Sequence, residues 1–201
     1  LLSKKIVARY RYEDKEGKLA FSVIRFKPKD FRPQRADGRW SMDGVTRVPY
    51  RLPLMLTAIK EGKEILIIEG EKDCDNAAKI GLTATTFPGG TGKWREEYSK
   101  WFQEAKVICL PDNDSAGRKG MHDIASMISK VAESVRWLEL PGISEKGDFS
   151  DWLNVTDNDK KAFEILVTSA PKWDPNSLNT SLADLELGDR LNIFNSVNDI
   201  W

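Results

Sequence analysis

Two stretches of the sequence decide the fold, and each is a short apolar run that ends in acidic residues. Residues 64–73 are EILIIEGEKD, and residues 106–118 are KVICLPDNDSAGR. A short uninterrupted apolar run, bounded by polar residues and glycine, is typical of a strand buried on both faces in a parallel sheet. We therefore predict two central strands, at residues 64–68 and 106–110, each followed by carboxylates.

Similar apolar runs alternate with helical patterns on either side of these stretches. Two further strands are predicted, at residues 83–87 and 134–140. Helices are predicted at about residues 72–80, 94–104, 116–131 and 159–168. This alternation favours an α/β fold with a mostly parallel sheet and helices on both faces.

The first 62 residues follow a different pattern and are predicted to form a small basic α+β lobe. Apolar and polar residues alternate over residues 5–27, which is typical of a hairpin. Residues 27–39 contain two prolines and are predicted to be an exposed, mobile loop, followed by a short strand at residues 45–50 and a helix near residues 53–61. Lys and Arg outnumber Asp and Glu by 15 to 6 in residues 1–60. Such a basic lobe can follow phosphates. We expect residues 1–62 to form this lobe, residues 63–173 to form a second domain, and residues 174–201 to be a linker or tail.

Composition excludes several classes of protein. The apolar runs are far shorter than the ~20 residues of a membrane-spanning helix, so no contact with a membrane is expected. The chain begins without the pattern of a secretion signal. Cys74 and Cys109 are its only cysteines, too few for a disulfide framework or a zinc ribbon. We expect a cytoplasmic protein.

The acidic residues at the strand ends predict a metal site. In parallel sheets, ligands bind beyond the carboxyl ends of the strands, where Glu69, Asp112 and Asp114 are expected to meet. Mg²⁺ prefers hard oxygen ligands and is often held by one or two carboxylates together with substrate phosphates. The alternative is that Asp112 and Asp114 only cap the helix that follows, as Asp often does.

These motifs resemble the TOPRIM domain. The resemblance rests on the strand that ends in Glu69-Gly70-x-x-Asp73, the glycine loop at residues 88–93, and Asp112-x-Asp114-x-Ala116-Gly117-Arg118 after the third strand. TOPRIM domains occur in bacterial primases, topoisomerases, recombination-mediator proteins and some nucleases. The layout, including the basic lobe in front, most resembles the primase part of phage helicase-primases and related plasmid primases.

The resemblance implies a role for each matching carboxylate. Glu69 matches the glutamate that acts as general base or acid or as a metal ligand, and Asp112 and Asp114 match the metal-binding pair. Asp73 matches a position that supports the acidic cluster and its chemistry. Two Mg²⁺ ions, or Mn²⁺ in their place, would then activate the 3′-hydroxyl of one ribonucleotide and stabilise the departing pyrophosphate of the next.

The acidic residue Asp148, in the segment after the last strand, leaves two alternatives open. It is either a ligand of a second metal ion or a cap of the following helix.

The glycine loop is a candidate phosphate-binding segment. Gly89 and Gly90 are expected to present backbone N–H groups to a phosphate, and the resemblance places Lys93 opposite the substrate and Arg118 in a turn near it. A Walker A loop is excluded because its spacing would put Phe87 at the first glycine and Trp94 at the magnesium-binding hydroxyl.

The basic lobe supplies the expected template contacts. They come from four cations, Lys29, Arg32, Arg35 and Arg39. Phe31 or Trp40 is expected to stack on an unpaired base.

The function predicted from the resemblance is that of a DNA primase core, a nucleotidyltransferase that makes short RNA primers. Its partners would be a single-stranded DNA template, ribonucleoside triphosphates and a replicative helicase. Two alternatives remain open: a TOPRIM nuclease that uses the same carboxylates, and a non-catalytic module that tethers a helicase to DNA.

Overall fold

The computed structural model describes residues 4–176 as two sheets with helices around them. The basic lobe contains β1 (Lys5–Glu13), β2 (Leu19–Lys27), β3 (Asp30–Arg35) and α1 (Leu52–Lys60). Its three strands form an antiparallel sheet in the order β1-β2-β3. The predicted tail from residue 177 onward lies outside the described residues.

The predicted hairpin is present as β1 and β2. Its turn is held by Asp14, whose side chain accepts hydrogen bonds from the backbone N–H groups of Glu16 (3.1 Å) and Lys18 (2.8 Å). Gly17 has a φ of 82° at this turn, a backbone conformation that favours glycine. Along β2 the side chains of Phe21 and Val23 are buried, so the hairpin has one face on the core.

The prediction of a mobile loop at residues 27–39 was wrong, because the chain returns there as β3. Pro33, which has no N–H group, is tolerated because β3 is an edge strand that pairs only with β2, opposite Val23. The prediction of a strand at residues 45–50 was also wrong, since this segment has no regular secondary structure. Its end is held by a hydrogen bond from Tyr50 N to Thr86 O at 2.9 Å.

The second sheet confirms the predicted α/β class. Its strands are β4 (Glu64–Ile67), β5 (Ala84–Thr85), β6 (Lys106–Cys109) and β7 (Ser134–Trp137), all parallel and in the order β5-β4-β6-β7. The helices around it are α2 (Glu71–Lys79), α3 (Ser115–Ile128), α4 (Phe149–Leu153) and α5 (Lys160–Ser169). The central pair β4 and β6 corresponds to the strands predicted from the apolar runs at residues 64–68 and 106–110.

The prediction of an α-helix at residues 94–104 was wrong, since this segment contains a 3₁₀ helix, Glu96–Phe102, preceded by a shorter one at Thr91–Lys93. Arg95, the residue before the longer 3₁₀ helix, makes no side-chain cap, and the segment is rich in aromatic residues with modest helix propensity. Packing determines its path instead, since the ring of Tyr98 stacks on Phe87 with 4.4 Å between centroids.

A single hydrophobic core joins the lobe to the parallel sheet. Tyr12 of β1 and Met55 of α1 belong to the same cluster of buried side chains as Ile65 of β4. The Tyr12 hydroxyl also donates a 2.8 Å hydrogen bond to the buried carboxylate of Glu71 at the start of α2. The lobe is therefore held at a defined position beside the carboxyl ends of the parallel strands.

No helix within residues 4–176 is long and apolar enough to cross a membrane.

Candidate active site

Glu69 and Asp112 face each other at the carboxyl ends of the two central strands. Glu69 follows β4, and Asp112 follows β6, which is the parallel neighbour of β4. Adjacent parallel strands end at the same edge of a sheet, so residues just beyond them are brought together. The backbone carbonyl of Glu69 is held by the Thr86 hydroxyl at 2.7 Å.

The carboxyl group of Asp112 is strongly affected by its surroundings. Burial raises the pKa of Asp112 from its ordinary 3.8 to about 8, and the charge of Glu69 and a hydrogen bond between the two carboxyl groups add to the rise. Asp73 and Asp148 contribute smaller repulsions. Two close carboxylates without a cation between them cannot both ionise easily, so this pair shares a proton or binds a cation.

The carboxylates of Asp73 and Asp148 are bound to the start of α4. Asp73 accepts hydrogen bonds from the backbone N–H of Ser150, at 3.1 Å, and from its hydroxyl. Asp148 is the N-cap of α4, accepts from the N–H of Asp151 at 2.8 Å and forms a capping box with it. Asp148 therefore has the capping role that was one of the two alternatives, while its predicted role as a metal ligand stays a prediction.

Asp114 is the N-cap of α3 and does not line the cleft that Glu69 and Asp112 line. Its Oδ1 accepts a 2.7 Å hydrogen bond from the N–H of Gly117. The backbone must pass close to Asp112 here, since a Cβ atom on Gly117 would lie 3.0 Å from the carbonyl oxygen of Asp112. Capping occupies one carboxylate oxygen, so the other is the one available to a metal ion.

A cleft of about 450 Å³ opens between this acidic edge and the basic lobe. The core side contributes five carboxylate residues, Glu69, Glu71, Asp73, Asp112 and Asp148. The lobe side contributes Arg25 and Lys29, together with Phe31, which is 42% exposed. The guanidinium of Arg25 lies 5.7 Å from the centroid of the Phe31 ring. The cleft thus has an acidic wall and, opposite it, a basic wall with an exposed aromatic ring.

A second cavity of about 260 Å³ adjoins the cleft, with which it shares Val23, Phe31 and Gly89. Three cations line it, Arg47, Lys93 and Arg95. Among the described residues no carboxylate lines this cavity, so its cations provide a site for an anion such as a phosphate chain.

The glycine loop passes close to Glu69. Gly89 and Gly90 have φ values of 93° and 73°, and a Cβ atom on Gly90 would lie 3.6 Å from Glu69 Oε1. The loop uses some of its amides internally, since Gly90 N donates to Phe87 O and Lys93 N donates to Gly90 O, each at 3.1 Å. A larger residue at Gly89 would contact the Lys93 side chain, at 2.9 Å from Cγ.

A divalent ion fits the Glu69–Asp112 pair. Within residues 4–176 no three Asp, Glu, His or Cys side chains are grouped as metal ligands, and the pair supplies two carboxylates. That suits Mg²⁺, which keeps several waters and binds through one or two carboxylates plus substrate phosphates. A cation would also relieve the repulsion that raises the pKa of Asp112.

Comparison with solved structures shows which fold carries this site. The chain matches the E. coli primase catalytic core with a TM-score of 0.67 at 19% sequence identity, covering 88% of this chain and 56% of that one. The DnaG primase catalytic domain bound to ssDNA matches with a TM-score of 0.63 at 21% identity, covering 82% and 53%. The primase fragment of the bacteriophage T7 primase-helicase protein matches with a TM-score of 0.54 at 22% identity, covering 78% and 60%.

The chain has the fold of a DNA primase catalytic core. It spans about half the length of the first primase structures that it matches, 44–56% of each. No protein-family model matches the sequence, and no curated protein matches it either. At these identities the likeness is one of fold.

Four of the predicted phosphate-binding arginines lie away from the acidic cleft of this primase fold and are paired locally. Arg32 pairs with Asp30 at 2.9 Å, and Arg35 and Arg39 pair with Asp37 at 3.3 and 2.6 Å. Arg118 binds Glu139 at 3.1 Å and the side chain of Asn113. The structure brings Lys29, Gly89 and Gly90 into the cleft, and Lys93 into the adjoining cavity.

Sequence reasoning missed several cations of the primase fold that do line the cavities, namely Arg25, Arg47, Lys72 and Arg95. A signal existed for Arg25, which shares the inward face of β2 with Phe21 and Val23, where a charge is unusual. No comparable signal marks Arg47, since it lies in a segment without regular secondary structure.

Proposed function

We propose that this chain is the catalytic core of a DNA primase, which joins ribonucleotides into short RNA primers on a single-stranded DNA template. The observation that carries the proposal is the Glu69–Asp112 carboxyl pair, placed at the acidic edge of a primase fold and facing a basic, aromatic wall. Metal-dependent nucleotidyl transfer needs such a combination of a metal site and a place for phosphates.

The proposed metal ion is Mg²⁺, with Mn²⁺ as a substitute, held by Glu69 and Asp112. The free oxygen of Asp114 is a further ligand in this proposal, as the sequence motif predicts. When bound, the ion supplies charge to a phosphate and makes the attacking hydroxyl more acidic. Glu69 lies next to the glycine loop, where it is positioned to accept the proton of that hydroxyl.

The proposed substrate contacts use the two cavities together. The cations of the smaller cavity, Arg47, Lys93 and Arg95, bind the triphosphate of a ribonucleotide. The lobe wall, with Arg25 and Lys29, neutralises template phosphates, and Arg32, Arg35 and Arg39 extend the contact along the lobe surface. Phe31 is exposed between the cavities and provides a ring on which a base stacks.

The proposed partners come from the fold and from the names of the matching structures. One of these is bound to ssDNA, and another belongs to a primase-helicase protein. We propose that this chain likewise acts on single-stranded DNA beside a replicative helicase, with residues 63–173 as the catalytic domain and residues 174–201 as the connection. Cys74 and Cys109 are free and buried, which is compatible with the proposed cytoplasmic location.

The experiment that tests the proposal is primer synthesis by the protein with single-stranded DNA, ribonucleoside triphosphates and Mg²⁺. Short RNA products in the wild type, and a loss of ~10² to 10⁴ in their synthesis with Glu69→Gln at unchanged DNA affinity, would support it. Loss of intact DNA without RNA products would identify a nuclease that uses the same carboxylates. Absence of both activities, together with retained binding to helicase and DNA, would identify a tether.

A further inference from the structure

Lys72 places a positive charge inside the acidic wall of the cleft. It is the second residue of α2, and its Nζ lies 3.1 Å from Asp148 Oδ2 and 4.0 Å from Asp73 Oδ1. The same lysine lines the cleft beside Glu69 and Asp112. The acidic wall is thus divided into a part that holds its own cation and a part that does not.

The carboxylates beside Lys72, those of Asp73 and Asp148, already accept hydrogen bonds from groups of the protein. Asp148 receives the N–H of Asp151 on one oxygen and the Lys72 ammonium on the other. Asp73 receives the backbone N–H and the hydroxyl of Ser150. These N–H groups belong to the first turn of α4. At Asp148 a divalent ion would have to displace the ammonium or compete with the Asp151 amide, and at Asp73, within the described part of the chain, only Oδ2 is without a donor.

The Glu69–Asp112 part of the wall has no cationic side chain paired with its carboxyl groups among residues 4–176. In the range 4–176, neither carboxylate forms a salt bridge with a lysine, arginine or histidine. The two carboxyl groups hydrogen-bond to each other, and within residues 4–176 the negative charge of the pair has no cationic partner. Charge balance therefore directs a divalent ion to Glu69 and Asp112 and away from Asp73 and Asp148.

We propose that Lys72 is a built-in counter-ion that takes the place of a second divalent metal ion between Asp73 and Asp148, leaving one metal site, at Glu69 and Asp112. The proposal rests on the proposed function for the metal site itself. It departs from the two-ion arrangement expected from the sequence. The ammonium supplies one positive charge at a fixed distance from Asp148, where an exchangeable ion would supply two.

The test is the number of Mn²⁺ ions bound by the wild type and by Lys72→Met, counted by electron paramagnetic resonance of free Mn²⁺. Met has nearly the length of Lys but no charge, so the variant leaves Asp73 and Asp148 without a cation. We expect one ion in the wild type and two in the variant. The matched control is Lys79→Met, in the last turn of α2, whose Nζ bonds Asn76 at 2.8 Å; it should bind as many ions as the wild type.

A second substitution locates the additional ion. Adding Asp148→Asn to Lys72→Met should return the count to that of the wild type, because Asn keeps the N-cap acceptor but is a poor ligand for the ion. Equal counts in the wild type and Lys72→Met, or two ions in the wild type, would overturn the proposal. Lys72→Gln gives the same comparison where the Met variant does not fold. Failure of the wild type to make primers would reject the proposed function and leave this count unaffected.

Discussion

Asp112→Asn should make the metal-free protein more stable, and only at neutral to alkaline pH. In the folded protein the pKa of Asp112 is raised from 3.8 to about 8 by burial and by Glu69. Between these two values the folded protein holds a proton that the unfolded chain has released. Its stability therefore falls as the pH rises from about 4 to about 8.

The magnitude follows from the same two pKa values. If the whole pKa difference is converted into free energy of unfolding, the wild type loses at most about 5 kcal/mol at pH 8. Because water reaches the half-buried carboxyl group and screens it, we expect about 2–4 kcal/mol. For a chain of this size that corresponds to a rise of roughly 5–15 °C in Tm for Asp112→Asn at pH 8, and to almost no change at pH 4.

The assay is thermal unfolding of the wild type and the variant in a metal chelator at both pH values. Asp114→Asn is the matched control, because it removes the same charge beside α3 while Asn keeps the N-cap. Equal stability of Asp112→Asn and Asp114→Asn at pH 8 would refute the reasoning. So would a gain that does not depend on pH. Mg²⁺ added to the wild type should recover part of the stability that is missing at pH 8, by binding the folded state.

Three further changes test other parts of the site. Glu69→Gln should lower primer synthesis by ~10² to 10⁴, the usual effect of losing a general acid or base, with single-stranded DNA binding unchanged by fluorescence anisotropy. Replacing Arg32, Arg35 and Arg39 by Ala should reduce the slope of log affinity against log salt by ~0.7 for each phosphate that is no longer neutralised; an unchanged slope would assign these arginines to local ion pairs alone. Gly117→Ala should cost about 1–3 kcal/mol in chemical denaturation, because its Cβ would press on the Asp112 backbone at 3.0 Å; unchanged stability would show that α3 can shift.

The fold and the central carboxyl pair could be predicted from the sequence because both depend on local patterns. The apolar runs before Glu69 and Asp112 are typical of buried strands, and parallel strands bring their ends together. β3 was missed because Pro33 disfavours a strand unless it lies at an edge, and edge position is a property of the whole sheet.

The balance of charge inside the cleft could not be predicted in the same way. The pairing of Lys72 with Asp148 joins residues 76 positions apart, and the local ion pairs of Arg32 and Arg39 depend on side-chain geometry. Spacing along the chain carries no information about which cation faces which carboxylate. Sequence patterns therefore located the acidic edge without indicating how much of its charge is already neutralised.

The core shared by the lobe and the sheet also limits how the cleft between them can move. Tyr12 and Met55 pack in the same cluster as Ile65, and the Tyr12 hydroxyl holds Glu71 across the junction. The lobe and the sheet share one core and so have no hinge between them, and we expect the cleft to keep the same width when a ligand binds. In the proposed primase activity, a template strand would then enter from the open side of the cleft, and the growing hybrid would move past the two walls after each added nucleotide.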